Sequence, residues 1–333
     1  MTGPGDGVTG PRLGVTLFSL GGLFWRRRMS VAGCLAAVAG LGADQGIELV
    51  GGQMLRTFPA VTDAEVRAFR DAVDRTGVVP VCYCAYVERA RSRDRLLSPP
   101  ETVPLIEQEI DTAVRLGFPM VRINTATPEL LRALAPVARA RRVPLVVELA
   151  TEPRTDPSVR ALLAELDRLD TPWLGVLQDF SAFVRAVPAP FVEAAIADGA
   201  PAGAMAVVVD AWRDGRPVAD VVDEIARGRW TPPQRQAAVQ AAHIAYALFR
   251  RGDAGGLRDV LPWLRHVQAK FFAVGADGAE PCVPYDELVP ALRDAGYRGR
   301  IHSEFEGFLW SDELDAVEQL ARQQDRIRAL WRG

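Results

Sequence analysis

Short apolar runs alternate with longer amphipathic runs along most of this chain. The apolar runs have the length of buried strands and the amphipathic runs have helical spacing, a succession typical of a parallel α/β fold. Eight strands with helices between them predict a single (β/α)₈ TIM barrel over residues 13–333, after a Gly- and Pro-rich segment, 1–12, that we expect to be disordered. The predicted strands are Leu13–Leu20, Ile47–Gln53, Val79–Val87, Met120–Ala126, Pro144–Ala150, Leu174–Ala182, His266–Val274 and Arg300–Phe308.

Helix-start signals follow several of these runs. Each combines a side chain that can cap the helix with a proline or an acidic residue in the first turn. The clearest are a capping box formed by Thr62 and Glu65, the pair Thr127–Pro128, and Ser311 before Asp312 and Glu313, which would open a last helix running to about Trp331.

The connection between the sixth and seventh strands is longer than one helix and two loops require. We interpret residues 184–264 as a helical insertion into the barrel. It would form a lid or a partner surface beside the mouth, or serve only as additional structural packing. Its predicted helices are Phe191–Asp198, Ala206–Ile225, Pro233–Arg250 and Leu257–Val267.

The composition is that of a soluble globular enzyme. Of 333 residues, 49% are hydrophobic and 24% are charged, and the net charge of −3 does not favour nucleic acid as a partner. No apolar run reaches the roughly 20 residues that span a bilayer, and the apolar run after Arg28 starts too late for a signal peptide. We therefore expect a cytoplasmic protein whose four cysteines are reduced core thiols.

Candidate chemistry lies at the C-terminal ends of the last four strands, where barrels of this type place their active sites. Glu148, Asp179, Gln268 and Glu304 each belong to one of them. A buried carboxylate is unfavourable unless it is paired or binds a cation, and three on neighbouring strands repel one another. These residues predict a divalent metal site for Mn²⁺, with Mg²⁺ or Co²⁺ as alternatives, unless each carboxylate instead pairs with an arginine.

Strand alternation places two further layers around this predicted metal site. His266 and His302 should lie one layer deeper, and Lys270 and Glu306 nearer the mouth. His243, in a helical stretch, is expected to be structural.

Other polar or aromatic residues near strand ends are candidates for substrate binding. Hydroxyl groups would be bound by polar side chains, and Trp25 could form an apolar wall for a ring. The substrate-binding candidates are Glu48, Arg122, Asn124, His266 and Trp25.

At this point the pattern resembles the xylose isomerase-like superfamily of sugar isomerases and epimerases. Its members hold Mn²⁺ or a related ion with Glu, Asp, His and Glu from strands five to eight. Glu148, Asp179 and Glu304 match the three carboxylates. The family motif His-x-His-x-Lys carries its ligand at the second histidine, where this chain has Gln268, whose amide oxygen can still coordinate a hard ion.

Four segments resemble, more narrowly, the catalytic alpha subunit of C-glycoside deglycosidases. That resemblance implies a small β-rich partner subunit, an oligomer, and cleavage of the C–C bond of a 3-keto-C-glycoside after a base removes the proton at C2. The segments are Arg265–Phe271, Val283–Asp286, Ala295–Gly299 and Ser303–Gly307.

One departure from the deglycosidase pattern leaves the identity of the general base undetermined. Such deglycosidases often have Glu-x-His on the fifth strand, whereas this chain has Ala150 two residues after Glu148. His302, Glu306 and Lys270 are the candidates to replace it. Two alternatives stay open, an isomerase, epimerase or dehydratase acting on a sugar or cyclitol, and a non-catalytic barrel subunit. Phosphodiester cleavage, as in the related endonuclease branch, is disfavoured because such sites use more histidines than the three in this chain.

Overall fold

Eight parallel strands close into one barrel, and each strand pairs with its neighbours in chain order. The computed structural model describes residues 10–87, 89–90, 93–124, 126–150 and 156–333. The predicted fold class and all eight predicted strands are confirmed. The strands are β1 Arg12–Thr16, β2 Gly46–Val50, β3 Val79–Ala85, β4 Val121–Ile123, β5 Leu145–Leu149, β6 Leu174–Asp179, β7 Leu264–Phe271 and β8 Arg300–Phe305.

Most predicted strands extend too far towards their C-terminal ends. The first predicted run continues to Leu20, but pairing stops at Thr16 and residues Leu17–Leu20 form a 3₁₀ turn. Apolar side chains continue past the strand because the turn is buried as well. Glu48, a substrate-binding candidate expected near a strand end, lies in the middle of β2.

Helices surround the barrel and fill the connection between β6 and β7. They are α1 Gly21–Trp25, α2 Val31–Ala39, α3 Gly51–Met54, α4 Asp63–Thr76, α5 Pro99–Leu116, α6 Pro128–Arg141, α7 Pro157–Leu169, α8 Ala189–Ala197, α9 Ala202–Arg213, α10 Val218–Arg227, α11 Pro232–Leu248, α12 Leu257–Val260, α13 Tyr285–Asp294 and α14 Ala316–Arg332.

Two of the predicted helices in the 184–264 region have wrong bounds. The stretch predicted as Ala206–Ile225 is split between α9 and α10, because Gly215 adopts a left-handed φ of 72° and Pro217 precedes the second helix. The helix predicted as Leu257–Val267 ends at Val260, and β7 begins at Leu264.

The start of α4 is correct, but the predicted capping box is wrong. Thr62 caps the helix by accepting a hydrogen bond from the Glu65 amide at 3.3 Å. The Glu65 carboxylate instead accepts from the backbone amides of Arg56 and Thr57, at 2.7 and 3.0 Å. It therefore secures the preceding loop rather than the helix end.

The barrel separates two apolar cores. Outward-facing strand side chains pack with the helices in one large cluster. A small second cluster lies inside the barrel and comprises Val50, Cys82, Cys84, Val146 and Leu177. All four cysteines are buried free thiols. No helix among the described residues is long and apolar enough to cross a membrane.

The start of the last helix differs from the prediction. α14 begins at Ala316, and its cap is Asp315, whose carboxylate accepts from the amides of Val317 and Glu318 at 2.9 Å each. Ser311 Oγ accepts from the amide of Glu313, at 3.3 Å, five residues before the helix starts. The sequence offered several capping side chains in a row, and the chain uses the last of them.

This cap generates a stability prediction. Replacing Asp315 with Ala should lower the free energy of unfolding by about 1 kcal/mol, because two helix amides lose their acceptor. The matched control Ser311→Ala should change it by only a few tenths of a kcal/mol. Urea denaturation followed by circular dichroism measures both, and a larger loss for Ser311→Ala would contradict the assigned cap.

Candidate active site and metal centre

A cluster of carboxylates surrounds the side chain of Lys270 at the C-terminal mouth of the barrel. The Lys270 Nζ lies 2.7 Å from Glu306 Oε1, 3.0 Å from Asp179 Oδ2 and 3.9 Å from Glu304 Oε2. Strand pairing explains the meeting, because Lys270 of β7 is in register with Glu304 of β8. The structure thus brings together two predicted metal ligands and two predicted catalytic residues.

Glu148, the third predicted carboxylate ligand, pairs with an arginine. Arg122 Nη1 donates to Glu148 Oε2 at 2.6 Å, and their side chains are only 9% and 16% exposed. The alternative of carboxylate–arginine pairing, left open by the sequence, therefore applies to this ligand. Its second oxygen, Oε1, is not part of this hydrogen bond.

The mouth carries more negative than positive charge. Burial raises the pKa of Glu148 against the opposing charge of Arg122, and raises that of Glu304 well above its ordinary value against Lys270. Burial alone would lower the pKa of Lys270, but the carboxylates around it hold it well above its usual range. Four carboxylates, those of Glu148, Asp179, Glu304 and Glu306, face two cations, Arg122 and Lys270, which leaves a formal excess of two negative charges.

Three buried oxygens at the mouth accept no hydrogen bond of good geometry from the residues that the structure describes, although two of them lie 3.0 and 3.9 Å from the Lys270 ammonium. They are Asp179 Oδ2, Gln268 Oε1 and Glu304 Oε2, one from each of three neighbouring strands. Unsatisfied buried acceptors are rare and call for a cation, a water or a ligand. Oxygen donors together with a charge excess of two suit a hard divalent ion, so the residues present fit the metal that the sequence predicts.

The most compact group of ligand-type side chains is one layer below the mouth. Within the described chain, two triads of His, Cys, Asp or Glu have ligand atoms that all lie within 4.8 Å of one another, Glu48–His266–His302 and Glu48–Cys82–Cys84. Glu148, Asp179 and Glu304 do not form such a triad. An ion at the mouth would have to draw these carboxylates closer together.

Glu48 is the centre of this deeper layer and has no solvent exposure. Its Oε1 lies 2.8 Å from His266 Nε2 and 2.9 Å from His302 Nδ1. Its Oε2 accepts from Gln268 Nε2 at 2.7 Å and lies 3.3 Å from Cys84 Sγ. Burial would raise the pKa of Glu48, but His266 and His302 hold it well below its ordinary value.

The position of His302 disfavours it as a general base. The ring is fully buried, and burial beside His266 lowers its pKa to about 4. A methyl group on Gly14 or Gly46 would overlap its Nε2, so these two glycines make room for the ring and the ring points at the barrel wall. A proton on a substrate at the mouth is out of its reach.

The remaining substrate-binding candidates lie at different depths. Glu48 and His266 are in the buried layer, whereas Asn124 directly follows β4 and is partly exposed. Trp25 is 45% exposed and packs against Phe18 and Phe308, with ring centroids 6.0 and 5.8 Å apart. The segment 151–155 after Ala150 lies outside the described residues.

Sequence reasoning missed the role of Cys84 and of the two glycines. It treated all four cysteines as reduced core thiols and assigned no polar contact to Cys84. The register that pairs Glu48 with Cys82 was the missing information. Gly14 and Gly46 gave no signal, because a glycine in a strand does not reveal which ring it accommodates.

The class of protein follows from these features together with a family comparison. The family model of the xylose isomerase-like TIM barrel matches residues 35–329. The chain belongs to this family. Solved structures agree in fold: a D-psicose 3-epimerase has a TM-score of 0.57 at 13% identity, covering 97% of this chain and 100% of that one. An Escherichia coli 3-keto-D-glucoside 4-epimerase has a TM-score of 0.54 at 12% identity, covering 96% and 99%.

More similar relatives are deglycosidase subunits. The C-glycoside deglycosidase alpha subunit of Arthrobacter globiformis is 32% identical, over 94% of this chain and 89% of its own length. That of Microbacterium trichothecenolyticum is 32% identical over 90% and 85%. The 3'-dehydrocarminate deglycosidase alpha subunit of a Microbacterium species is 28% identical over 96% and 95%. The resemblance found in the sequence is thereby confirmed.

The buried ion pair at the mouth generates a second prediction. Arg122→Met should lower the free energy of unfolding of the metal-free protein by about 3 kcal/mol, because Glu148 keeps a buried charge without its partner. Arg95→Met is the matched control, since Arg95 and Glu101 are also 2.6 Å apart but are 58% and 40% exposed. It should cost about 1 kcal/mol or less. If urea denaturation shows equal losses of unfolding free energy for Arg122→Met and Arg95→Met, burial does not make the Arg122–Glu148 pair more important for stability.

Proposed function

We propose that this protein is a metal-dependent carbon–carbon lyase that acts on a 3-keto-C-glycoside. The observation that carries the proposal is the formal excess of two negative charges at a buried mouth, together with the buried Gln268 Oε1, which accepts no hydrogen bond from the described residues. The similarity to deglycosidase alpha subunits over nearly the whole chain supports the substrate class. Their designation as alpha subunits also supports a second subunit, with which this chain would assemble.

The proposed ligands are Glu148, Asp179, Gln268 and Glu304. A divalent ion held there supplies Lewis acidity to a ketone and so makes the neighbouring C–H bond more acidic. Glu148 can contribute Oε1 while Oε2 stays paired with Arg122. Mn²⁺ is our first choice because oxygen donors suit it, and Mg²⁺ is the second.

Glu306 is the base that the geometry favours. It follows β8 at the mouth, its side chain is 18% exposed, and Lys270 holds its carboxylate at 2.7 Å. Glu306 would take the proton from C2, the electron pair left there would form a C1=C2 double bond in the sugar, and the C1–C bond to the aglycone would break with its pair moving to the aglycone carbon, which then gains a proton. Lys270 positions Glu306 and offsets the negative charge that develops.

Isomerisation or epimerisation of a ketose is the second candidate function. It begins with the same loss of a proton next to a carbonyl, and Ala150 removes the histidine that related deglycosidases often carry. Glu148 and Glu304 lie on strands that flank β6 and β7, and a carboxylate pair across a sugar could return the proton to the other face. Substrate tests separate the two functions.

Metal binding tests the first part of the proposal. The purified protein, stripped with chelator and titrated with Mn²⁺ by calorimetry, should bind one ion per chain. Asp179→Asn and Glu304→Gln should each weaken binding about tenfold or more, because each removes a charged ligand. Glu101→Gln, on an exposed helix start, is the control and should bind as the native protein does. A native protein indifferent to Mn, Mg, Co, Fe and Zn would overturn the proposal.

Turnover tests the second part. The Mn²⁺-loaded protein, alone and with a small subunit encoded beside it, is incubated with a 3-keto-C-glycoside, and the released aglycone is measured. Glu306→Gln should lower kcat about 100-fold or more while KM changes little, because the base acts in the transition state. Conversion of ordinary ketoses with no aglycone release would instead establish the isomerase alternative.

A further inference from the structure

Gln268 lies between the two polar layers of the barrel and contacts them with opposite ends of its amide. Its Nε2 donates downward to Glu48 Oε2 at 2.7 Å. Its Oε1 is buried and accepts no hydrogen bond from any described residue. The residue pairs in register with Asp179 on one side and with His302 on the other. Its free oxygen therefore belongs to the strand that lies between those of Asp179 and Glu304.

An amide can occupy the same space in two orientations that exchange its oxygen and nitrogen. The difference decides whether Gln268 can bind a cation, because the oxygen attracts one and the NH₂ group repels it. Here the NH₂ group faces Glu48, because Nε2 donates to Glu48 Oε2 at 2.7 Å, and an amide oxygen in its place could not donate to that acceptor. That orientation turns Oε1 away from Glu48.

The Glu48 carboxylate is itself held in place by its neighbours, so it can fix the orientation of the Gln268 amide. Its Oε1 lies between the imidazoles of His266 and His302, and its Oε2 also lies 3.3 Å from Cys84 Sγ. The carboxylate belongs to β2, whereas Gln268 belongs to β7, so the hydrogen bond crosses the barrel interior. Groups from four strands, β2, β3, β7 and β8, meet in this layer.

The same layer is less suited to a metal of its own. Two ligands of a tetrahedral zinc ion, each with a bond of about 2.0 Å, stand about 3.3 Å apart. Here the separations between Glu48 Oε1 and the two imidazole nitrogens are 2.8 and 2.9 Å, which are hydrogen-bond distances. Both Glu48 oxygens already have close polar neighbours. The layer is a hydrogen-bonded platform beneath the mouth.

We propose that Glu48 is a positioning residue that fixes the amide of Gln268 so that Oε1 faces the ion at the mouth. The proposal rests on the proposed metal site and deepens it. It gives the ion oxygen donors throughout, from Glu148, Asp179, Gln268 and Glu304. An all-oxygen site favours Mn²⁺ or Mg²⁺ over Zn²⁺.

The test measures Mn²⁺ affinity by calorimetry on chelator-treated, full-length protein. Glu48→Gln keeps the shape of the side chain but can donate, so the Gln268 amide loses its fixed orientation and the affinity should fall about tenfold. Glu101→Gln is the matched control, because it makes the same exchange of a carboxylate for an amide at an exposed position outside this layer. Its affinity should stay within about twofold of the native value.

A double-mutant comparison separates orientation from general damage. Gln268→Ala should weaken Mn²⁺ binding by itself, and adding Glu48→Gln to it should weaken binding no further, because Glu48 acts through Gln268. Gln268→His should raise the affinity for Zn²⁺ relative to Mn²⁺, since an imidazole nitrogen replaces an oxygen. Circular dichroism checks that each variant is folded, and if Glu48→Gln is not, unchanged Mn²⁺ binding by Gln268→Ala still overturns the proposal.

The outcomes distinguish this inference from the proposed function. If the native protein binds Mn²⁺ and either Glu48→Gln or Gln268→Ala binds it as tightly, the positioning role is overturned and the metal site stands. A further loss on adding Glu48→Gln to Gln268→Ala also overturns it. If the native protein binds none of the ions, both proposals fail together.

Discussion

The arrangement of the mouth depends on the free energy of keeping four carboxylates in a confined, largely buried space. Two cations, Arg122 and Lys270, neutralise half of their charge. Burial, the larger cause, raises the pKa values of Glu148 and Glu304 in favour of their neutral forms, and the negative charge that is not neutralised also raises them. A protein retains such an arrangement when the charge serves binding or catalysis, since a buried unpaired charge by itself destabilises the fold.

The barrel solves this problem in layers. At the bottom, Gly14 and Gly46 leave room for the imidazole of His302, and above it Glu48 joins His266 and Gln268 into one hydrogen-bonded platform. The platform is polar but satisfied at its centre, because the Glu48 carboxylate has close polar neighbours at both oxygens. Unsatisfied oxygens are found one layer higher.

The fold could be predicted from the sequence because each strand has its own local signal. Apolar runs of strand length recur with helices between them, and this is enough for the order of elements and for a closed barrel. Boundaries were less accurate, as at Ser311, where several capping side chains stand in succession and only packing selects Asp315. The split of α9 from α10 was missed although Gly215 and Pro217 mark it.

For the site, the sequence by itself determined which residues come to the mouth. Period-two alternation and the position of Glu148, Asp179, Gln268 and Glu304 in consecutive strands place them on the inner face at one end. Only the tertiary structure decided what each does there. Which carboxylate pairs with Arg122, where Lys270 lies, and which end of the Gln268 amide is free depend on distances across the barrel. Those distances are set by strand register and closure, which no local pattern contains.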